Sequence, residues 1–238
     1  MNSQLCDAGL ITCSDQNLEK TQDLLAAIVK QLLDLGSFPL LLGGGHDIAY
    51  GHYMGLRSYI DPKESIGIIN LDAHFDLRST TQGPNSGTPF YQIAMELQKQ
   101  GQSFHYLCLG IREEANSAEL FDTAGKLGVE YILNSAFHIG NTGKLKKELE
   151  EFMEQVDRIY LSIDLDGFSS AYSPGVSAAS PFGFSPDVAI WTLEKVISSG
   201  KLMSLDLAEC NPRYDRDGRT AKLAAGLLHY ALRHPELI

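Results

Sequence analysis

Six short apolar runs punctuate this chain, and the stretches between them carry apolar residues at helical spacing. No other feature restricts the fold as strongly. The runs are "FPLLLGGG" (38–45), "SIGIINLDAH" (65–74), "FHYLCLGI" (104–111), "VEYILN" (129–134), "RIYLSIDLD" (158–166) and "LMSLDLAE" (202–209). Each is close to continuously apolar, the mark of strands buried on both faces. Helices are predicted over 17–35, stopping at Gly36, and over about 47–59, 89–101, 115–127, 142–155, 186–199 and 219–233. Strands alternating with helices predict a mainly parallel sheet covered on both sides, an α/β fold in three α/β/α layers. The 238 residues contain no repeat, charge block or low-complexity linker, so residues 1–238 are predicted to form a single domain.

In such sheets ligands bind beyond the carboxyl ends of the strands. In this chain those ends collect chemistry. The run at 38–42 leads into "GGGHD" with His46. The run at 65–71 leads into Asp72, His74 and Asp76, which share a face if the strand pattern persists. The run at 158–163 leads into Asp164 and Asp166, and the last run ends in Glu209. Alone, a D-x-H or D-x-D at a strand end is more often a turn, a cap or a hydrogen-bonded polar pair. Two of them together, with a Gly-flanked His at a third strand end, point to metal. Two imidazoles and four carboxylates are too many ligands for one tetrahedral zinc. They suit a pair of divalent ions, with Mn²⁺ the best match to mixed Asp/His ligation. The ions would also neutralise carboxylates that otherwise repel one another.

Charge and cysteine usage exclude other classes. A formal charge of −11 with a pI near 5.0 argues against a nucleic-acid or anionic-membrane surface. Cys6, Cys13, Cys108 and Cys210 form no C-x-x-C pair, which fits a reducing cytoplasm. No apolar run approaches membrane-spanning length. The expected partners are a small-molecule substrate and further copies of the chain in a homo-oligomer, without nucleic acid or membrane.

The stretches "GGGHD", "NLDAHFDLR", "SIDLDGF" and "DLAECNP" closely resemble, in order and spacing, the four motifs of the arginase–agmatinase–formiminoglutamase (ureohydrolase) family. The resemblance runs from about residue 20 to the C-terminus. It implies an arginase-like fold, a binuclear Mn²⁺ site and hydrolysis of a C–N bond in a guanidine or formimino group. Carried over by position, His46, Asp72, Asp76 and Asp164 resemble the ligands of one ion. Asp72, His74, Asp164 and Asp166 resemble those of the other, with Asp72 and Asp164 bridging. Two such ions would activate a water at neutral pH. Asp76 would orient it and shuttle a proton, and Glu209 stands where the family receives the cationic group of the substrate. Relatives usually carry a further strand and helix before the segment that opens this chain. Residues 1–16 offer no strand to replace them, so a gap or open edge in the sheet and a partly open pocket are expected.

Within the family the sequence takes sides. Arginases and agmatinases usually read "GGDHS" and carry a His in "H-G-x-P". This chain reads "GGGHD" and "NSGTPF", with Ser86 where that His would stand. Arg78 follows Asp76 where arginases have Asn. These features look like the formiminoglutamase branch of histidine breakdown, whose substrate, N-formiminoglutamate, carries two carboxylates and one formamidinium. Arg78 then suits a carboxylate. The products would be glutamate and formamide. Tyr172, in the small-residue loop 169–183, is a further candidate substrate contact, and so is Arg112. His52 is predicted to face elsewhere, and His105, His138, His229 and His234 have no partner pattern. The alternatives are a guanidino hydrolase such as agmatinase, arginase or guanidinobutyrase, a mononuclear zinc deacetylase, and a metal-stabilised scaffold without turnover. The deacetylase would not need Asp76, His46 and the second Asp of "DLD" together.

Overall fold

The computed structural model describes residues 5–13, 17–235 and 237. Six strands, β1 (Leu40–Leu42), β2 (Ile66–Leu71), β3 (His105–Ile111), β4 (Glu130–Leu133), β5 (Arg158–Asp164) and β6 (Leu202–Ala208), form one sheet in the order β1-β6-β5-β2-β3-β4. Every pairing is parallel. Seven helices connect them: α1 (Leu18–Asp34), α2 (Ile48–Tyr59), α3 (Pro89–Lys99), α4 (Ala118–Leu127), α5 (Thr142–Glu154), α6 (Pro186–Ser198) and α7 (Arg219–Arg233). Residues 5–13 are neither helix nor strand, and the expectation for residues 1–16 falls partly outside the described residues. No helix among the described residues is long and apolar enough to cross a membrane.

Side chains alternate across the sheet and both faces are dry, as the unbroken apolar runs require. Ile68, Tyr106 and Tyr160 point to one face, where Val29, Tyr53, Leu56, Phe90 and Leu97 from α1, α2 and α3 cover them. Ile69, Leu107, Leu161 and Leu205 point to the other, beneath Leu145, Phe152, Leu193 and Leu227 from α5, α6 and α7. The three predicted layers are thus present.

Two elements differ from expectation, for the same reason. The strand predicted to 74 stops at Leu71, and the helix predicted from 115 starts at Ala118. Between them Asn116 is extended and buried. Its side-chain oxygen accepts from Phe75 N (3.0 Å), and its amide donates to Ala73 O (2.9 Å) and Arg112 O (2.8 Å). Backbone groups beyond the end of the β2 ladder need partners. Asn116 supplies them and stays out of the helix to do so.

Helices α1 and α2 touch backbone to backbone. A Cβ built on Gly55 would stand 2.6 Å from Val29 Cβ and 2.7 Å from Ala26 O, and one on Gly51 would stand 2.6 Å from Gln22 O. This approach lets Gln22 Nε2 donate to Asp47 O (2.9 Å), which anchors the loop between β1 and α2. Gly55→Ala should therefore destabilise the fold by about 1–3 kcal/mol through overpacking, although alanine is the better helix former. Gly226→Ala in α7, where a Cβ meets nothing within 4 Å, should be neutral or stabilising by up to about 1 kcal/mol. Urea unfolding of the two variants checks the pair, and equal stability changes would contradict the close approach.

Candidate metal centre

The carboxyl ends of β1, β6, β5 and β2 meet at one point. The triglycine loop after β1 runs along the end of β6, with Gly43 N donating to Leu207 O (2.9 Å) and Glu209 N donating to Gly44 O (2.7 Å). This carries His46 inward, where its ring is fully buried with an edge against Phe90. His46 Nδ1 lies 3.0 Å from Asp76 Oδ2, 3.0 Å from Asp164 Oδ2 and 3.3 Å from Asp72 Oδ2. His74 Nδ1 lies 3.2 Å from Asp166 Oδ1 and 3.4 Å from Asp72 Oδ1.

Two ligand groups result: His46, Asp72, Asp76 and Asp164, and Asp72, His74 and Asp166. Asp72 belongs to both. Asp164 stands with the first group only, because its Oδ1 accepts from Asp166 N (2.7 Å) while Oδ2 faces His46. Asp72 Oδ1 likewise accepts from His74 N (2.8 Å). Each D-x-H or D-x-D is therefore a turn held by its own first carboxylate, and also a donor set. A divalent cation fits the first group on an independent ground. His46 Nδ1 is buried with no hydrogen-bond partner despite three carboxylates around it, as is Asp166 Oδ1 in the second. Oxygen and imidazole donors in this mixture suit Mn²⁺.

The charges balance through protons when metal is absent. Burial pushes the His74 imidazole down, but Asp166 and Asp72 outweigh it and hold the group up at about 11. Burial also pushes His46 down, and Asp164, Asp72 and Asp76 raise it well above the usual value. Burial, then the Asp72 charge, pushes Asp76 up to about 6. Asp164 is raised by burial, Asp166 and Asp72. Asp72, although burial raises it, is held low by the two imidazoles beside it, His46 and His74.

Glu209 lies beside the first group and is half-buried. Its Oε1 accepts from His46 N (2.8 Å), and burial raises its carboxyl. Asp76 and Glu209 adopt left-handed backbone conformations, with φ of 48° and 65°. Such geometry costs about 1–3 kcal/mol per residue, and it clusters at functional sites. Glu209 Oε1, Ser86 Cβ and Asp47 Oδ1 converge above Gly45, at 3.5, 3.3 and 2.4 Å from the position a Cβ there would take. Arg78 is exposed and lies across Gly87, next to Ser86, and its side chain has no ion-pair partner among the described residues.

Other candidates fall outside this constellation. Tyr172 is 46% exposed, although its loop is tied to the Glu209 loop where Asn211 N donates to Gly175 O (2.7 Å). Arg112 is buried at the end of β3, with Glu114 at 3.7 Å. Neither ligand group includes His105, His138, His229 or His234. His52 likewise belongs to neither group; it is fully buried and bonded to Asp206 (2.6 Å). Sequence reasoning also missed Asp47, Ser162, Asp206 and Asn116. An Asp and a Ser inside otherwise apolar strands were the available signal.

Comparison with known proteins agrees with the fold and the cluster. A sequence profile of the arginase family matches residues 1–233. The formimidoylglutamase of Geobacillus thermodenitrificans is 43% identical over 232 residues, covering 98% of this chain and 71% of the relative. The crystal structure of formimidoylglutamase from Bacillus subtilis superposes with a TM-score of 0.89 at 26% identity, covering all of this chain and 74% of that one. Trypanosoma cruzi formiminoglutamase, solved with Mn²⁺₂, superposes with a TM-score of 0.81 at 25% identity, over 95% of this chain and 74% of that one. The chain belongs to the arginase family, and its fold and paired His/Asp groups are those of a metal-dependent hydrolase.

The proton balance yields a pH dependence. A His raised in the fold contributes stability that is complete below its unfolded value, about 6.5, and is lost as pH rises toward about 11 for His74. Asp76 acts in the same direction at lower pH, its contribution being complete below about 3.9 and lost as pH rises through about 6. The metal-free protein should melt at a lower temperature at pH 9 than at pH 6. With saturating Mn²⁺ the trend should reverse, because the ligands bind deprotonated. Thermal melts in chelator and in Mn²⁺ across this range check both signs. Removing the shared ligand is a second check. Asp72→Ala should abolish binding of both ions and His46→Ala should weaken mainly one, as read by metal content per chain.

Proposed function

We propose that this chain is a formimidoylglutamase, a hydrolase with two Mn²⁺ per chain that cleaves the formimino C–N bond of N-formiminoglutamate to give glutamate and formamide. The observation that carries the reading is a ligand cluster with Asp72 common to both groups and a lone carboxylate, Glu209, at its edge. The formimidoylglutamase relatives at around 43% identity support this substrate over a guanidine. Four free cysteines support a reducing, cytoplasmic setting.

When bound, two Mn²⁺ ions supply activation of a water at neutral pH and neutralise the carboxylates. His46, Asp72, Asp76 and Asp164 would hold one, and Asp72, His74 and Asp166 the other. The chain's own groups do the rest. Glu209 spends Oε1 on His46 N, which leaves Oε2 for the N–H groups of the formamidinium, a charge-assisted pairing. Asp76 is partly exposed and faces the same opening, so it can take a proton from the water and deliver it to the departing nitrogen. Arg78 offers an unpaired guanidinium fork to a substrate carboxylate, and Ser86 lies between it and Glu209. The site thus reads a molecule that is cationic at one end and anionic at the other. Tyr172 would contribute by closure of its loop.

Purified protein with Mn²⁺ should hydrolyse N-formiminoglutamate faster than arginine, agmatine or guanidinobutyrate. Faster cleavage of any of those three would reject the substrate assignment. Arg78→Ala should raise KM about tenfold, the lower end for a charge-assisted hydrogen bond at an exposed site, with a smaller change in kcat. Glu209→Gln should instead lower kcat.

A further inference from the structure

Behind His46, away from the other ligands, a chain of buried polar groups crosses the sheet. His46 Nε2 lies 2.8 Å from Ser162 Oγ, and Ser162 Oγ donates to Asp206 Oδ1 at 2.6 Å. Asp206 Oδ2 faces His52 Nδ1 at 2.6 Å and accepts from the Tyr160 hydroxyl. His52 Nε2 lies 2.6 Å from Ser204 Oγ, which donates to Pro39 O at 2.7 Å. His46, Ser162, Asp206, His52, Ser204 and Tyr160 are all 0% exposed.

Counting protons fixes the direction of the first bond. A serine hydroxyl has one proton. Ser162 gives its proton to Asp206, an ionised carboxylate that can only accept. Ser162 must therefore accept from His46, and the Nε2 proton of His46 is committed. The ring nitrogen left to give its lone pair to a cation is Nδ1, the buried atom without a hydrogen-bond partner that faces Asp72, Asp76 and Asp164. The sheet itself builds this. Asn70, Ser162 and Asp206 are register partners across β2, β5 and β6. They form a polar row one residue pair before the β2–β5 ladder ends at Leu71 and Ile163. Asn70 supports Asp72 from that row, with its amide donating to Oδ2 (3.0 Å).

We propose that Ser162 and Asp206 are positioning residues that hold His46 in the tautomer presenting Nδ1 to metal, and so set the affinity of the ion in the His46 group without touching it. Asp206 acts through Ser162, and His52 and Tyr160 hold Asp206. The inference rests on reading the cluster as a divalent-metal centre.

The test is equilibrium binding of Mn²⁺ to the full chain, by competition with a chelating indicator and metal content per chain. Partners in this position typically govern affinity by about 10–100-fold. Ser162→Ala and the isosteric Asp206→Asn should each weaken one ion by that factor and change the other by less than about threefold. Ser162→Thr, which keeps the hydroxyl, should restore the tighter binding. Ser204→Ala, which belongs to the same buried network but bonds only His52 and Pro39, should leave both affinities near the parent value. Melting of each metal-free variant separates loss of affinity from loss of fold. If Ser162→Ala does not fold, Asp206→Asn decides the question alone. Parent-like binding by Asp206→Asn or Ser162→Ala overturns the proposal, and so does equal weakening of both ions or an equal loss in Ser204→Ala. An unmodified chain that binds no divalent ion would instead sink the metal reading beneath it.

Discussion

Carboxylates gathered at one end of a parallel sheet repel each other, and the rest of the site is arranged around that repulsion. Asp72, Asp76, Asp164 and Asp166 converge within two ligand groups that share Asp72. Buried charges of one sign are tolerated only with compensation. Without metal the two imidazoles take up protons to provide it. With metal the cations do so, and the protons leave. The same residues thus suit either occupant, protons on the imidazoles or a divalent cation among the carboxylates.

Holding that geometry is the task of residues that touch no substrate. The first aspartate of each pair accepts the backbone N–H two residues on, which fixes its carboxylate before any ion arrives. Asn116 clamps the backbone of 73–75 after the β2 ladder has ended. Asn70 steadies Asp72, and the Ser162–Asp206 pair steadies His46. Gln22 ties α1 to the ligand loop through close packing of α1 on α2. Buried polar networks are effective only when every member is satisfied. Here the unsatisfied atoms at the centre are His46 Nδ1 and Asp166 Oδ1, where a cation is called for. Two of the three left-handed non-glycine residues among the described residues, Asp76 and Glu209, belong to the site, the third being Asp217 in the turn before α7.

Specificity belongs to a different layer from the metal chemistry. The ligand groups can serve any trigonal amidine carbon. The flanking groups discriminate: Glu209 with Asp47 and Ser86 around Gly45, and Arg78 over Gly87. In the proposed reading, a carboxylate and a guanidinium beside the same ligand cluster would favour a zwitterionic substrate over a wholly cationic one.

The alternation of strands and helices, the three layers and the clustering of the site's His and Asp side chains were all legible in the sequence. The reason is that each is encoded locally. An apolar run long enough for a strand specifies a strand buried on both faces, and the turn after it carries its ligands within a few residues. His46, Asp72, His74, Asp76, Asp164, Asp166 and Glu209 could be found in this way because each closes a strand. What the tertiary structure alone decided depends on pairing between strands and on side-chain direction. The register of β2, β5 and β6 puts Asn70, Ser162 and Asp206 in one row. Only folding turns His52 toward Asp206, although its helix was predicted correctly. Asn116 was absorbed into a predicted helix because its three hydrogen bonds reach back 41 and 43 residues to Phe75 and Ala73, and 4 residues to Arg112. Local pattern names the ligands. The contacts that orient them from Ser162, Asp206 and Asn116 are long-range, and no short window of sequence contains both partners.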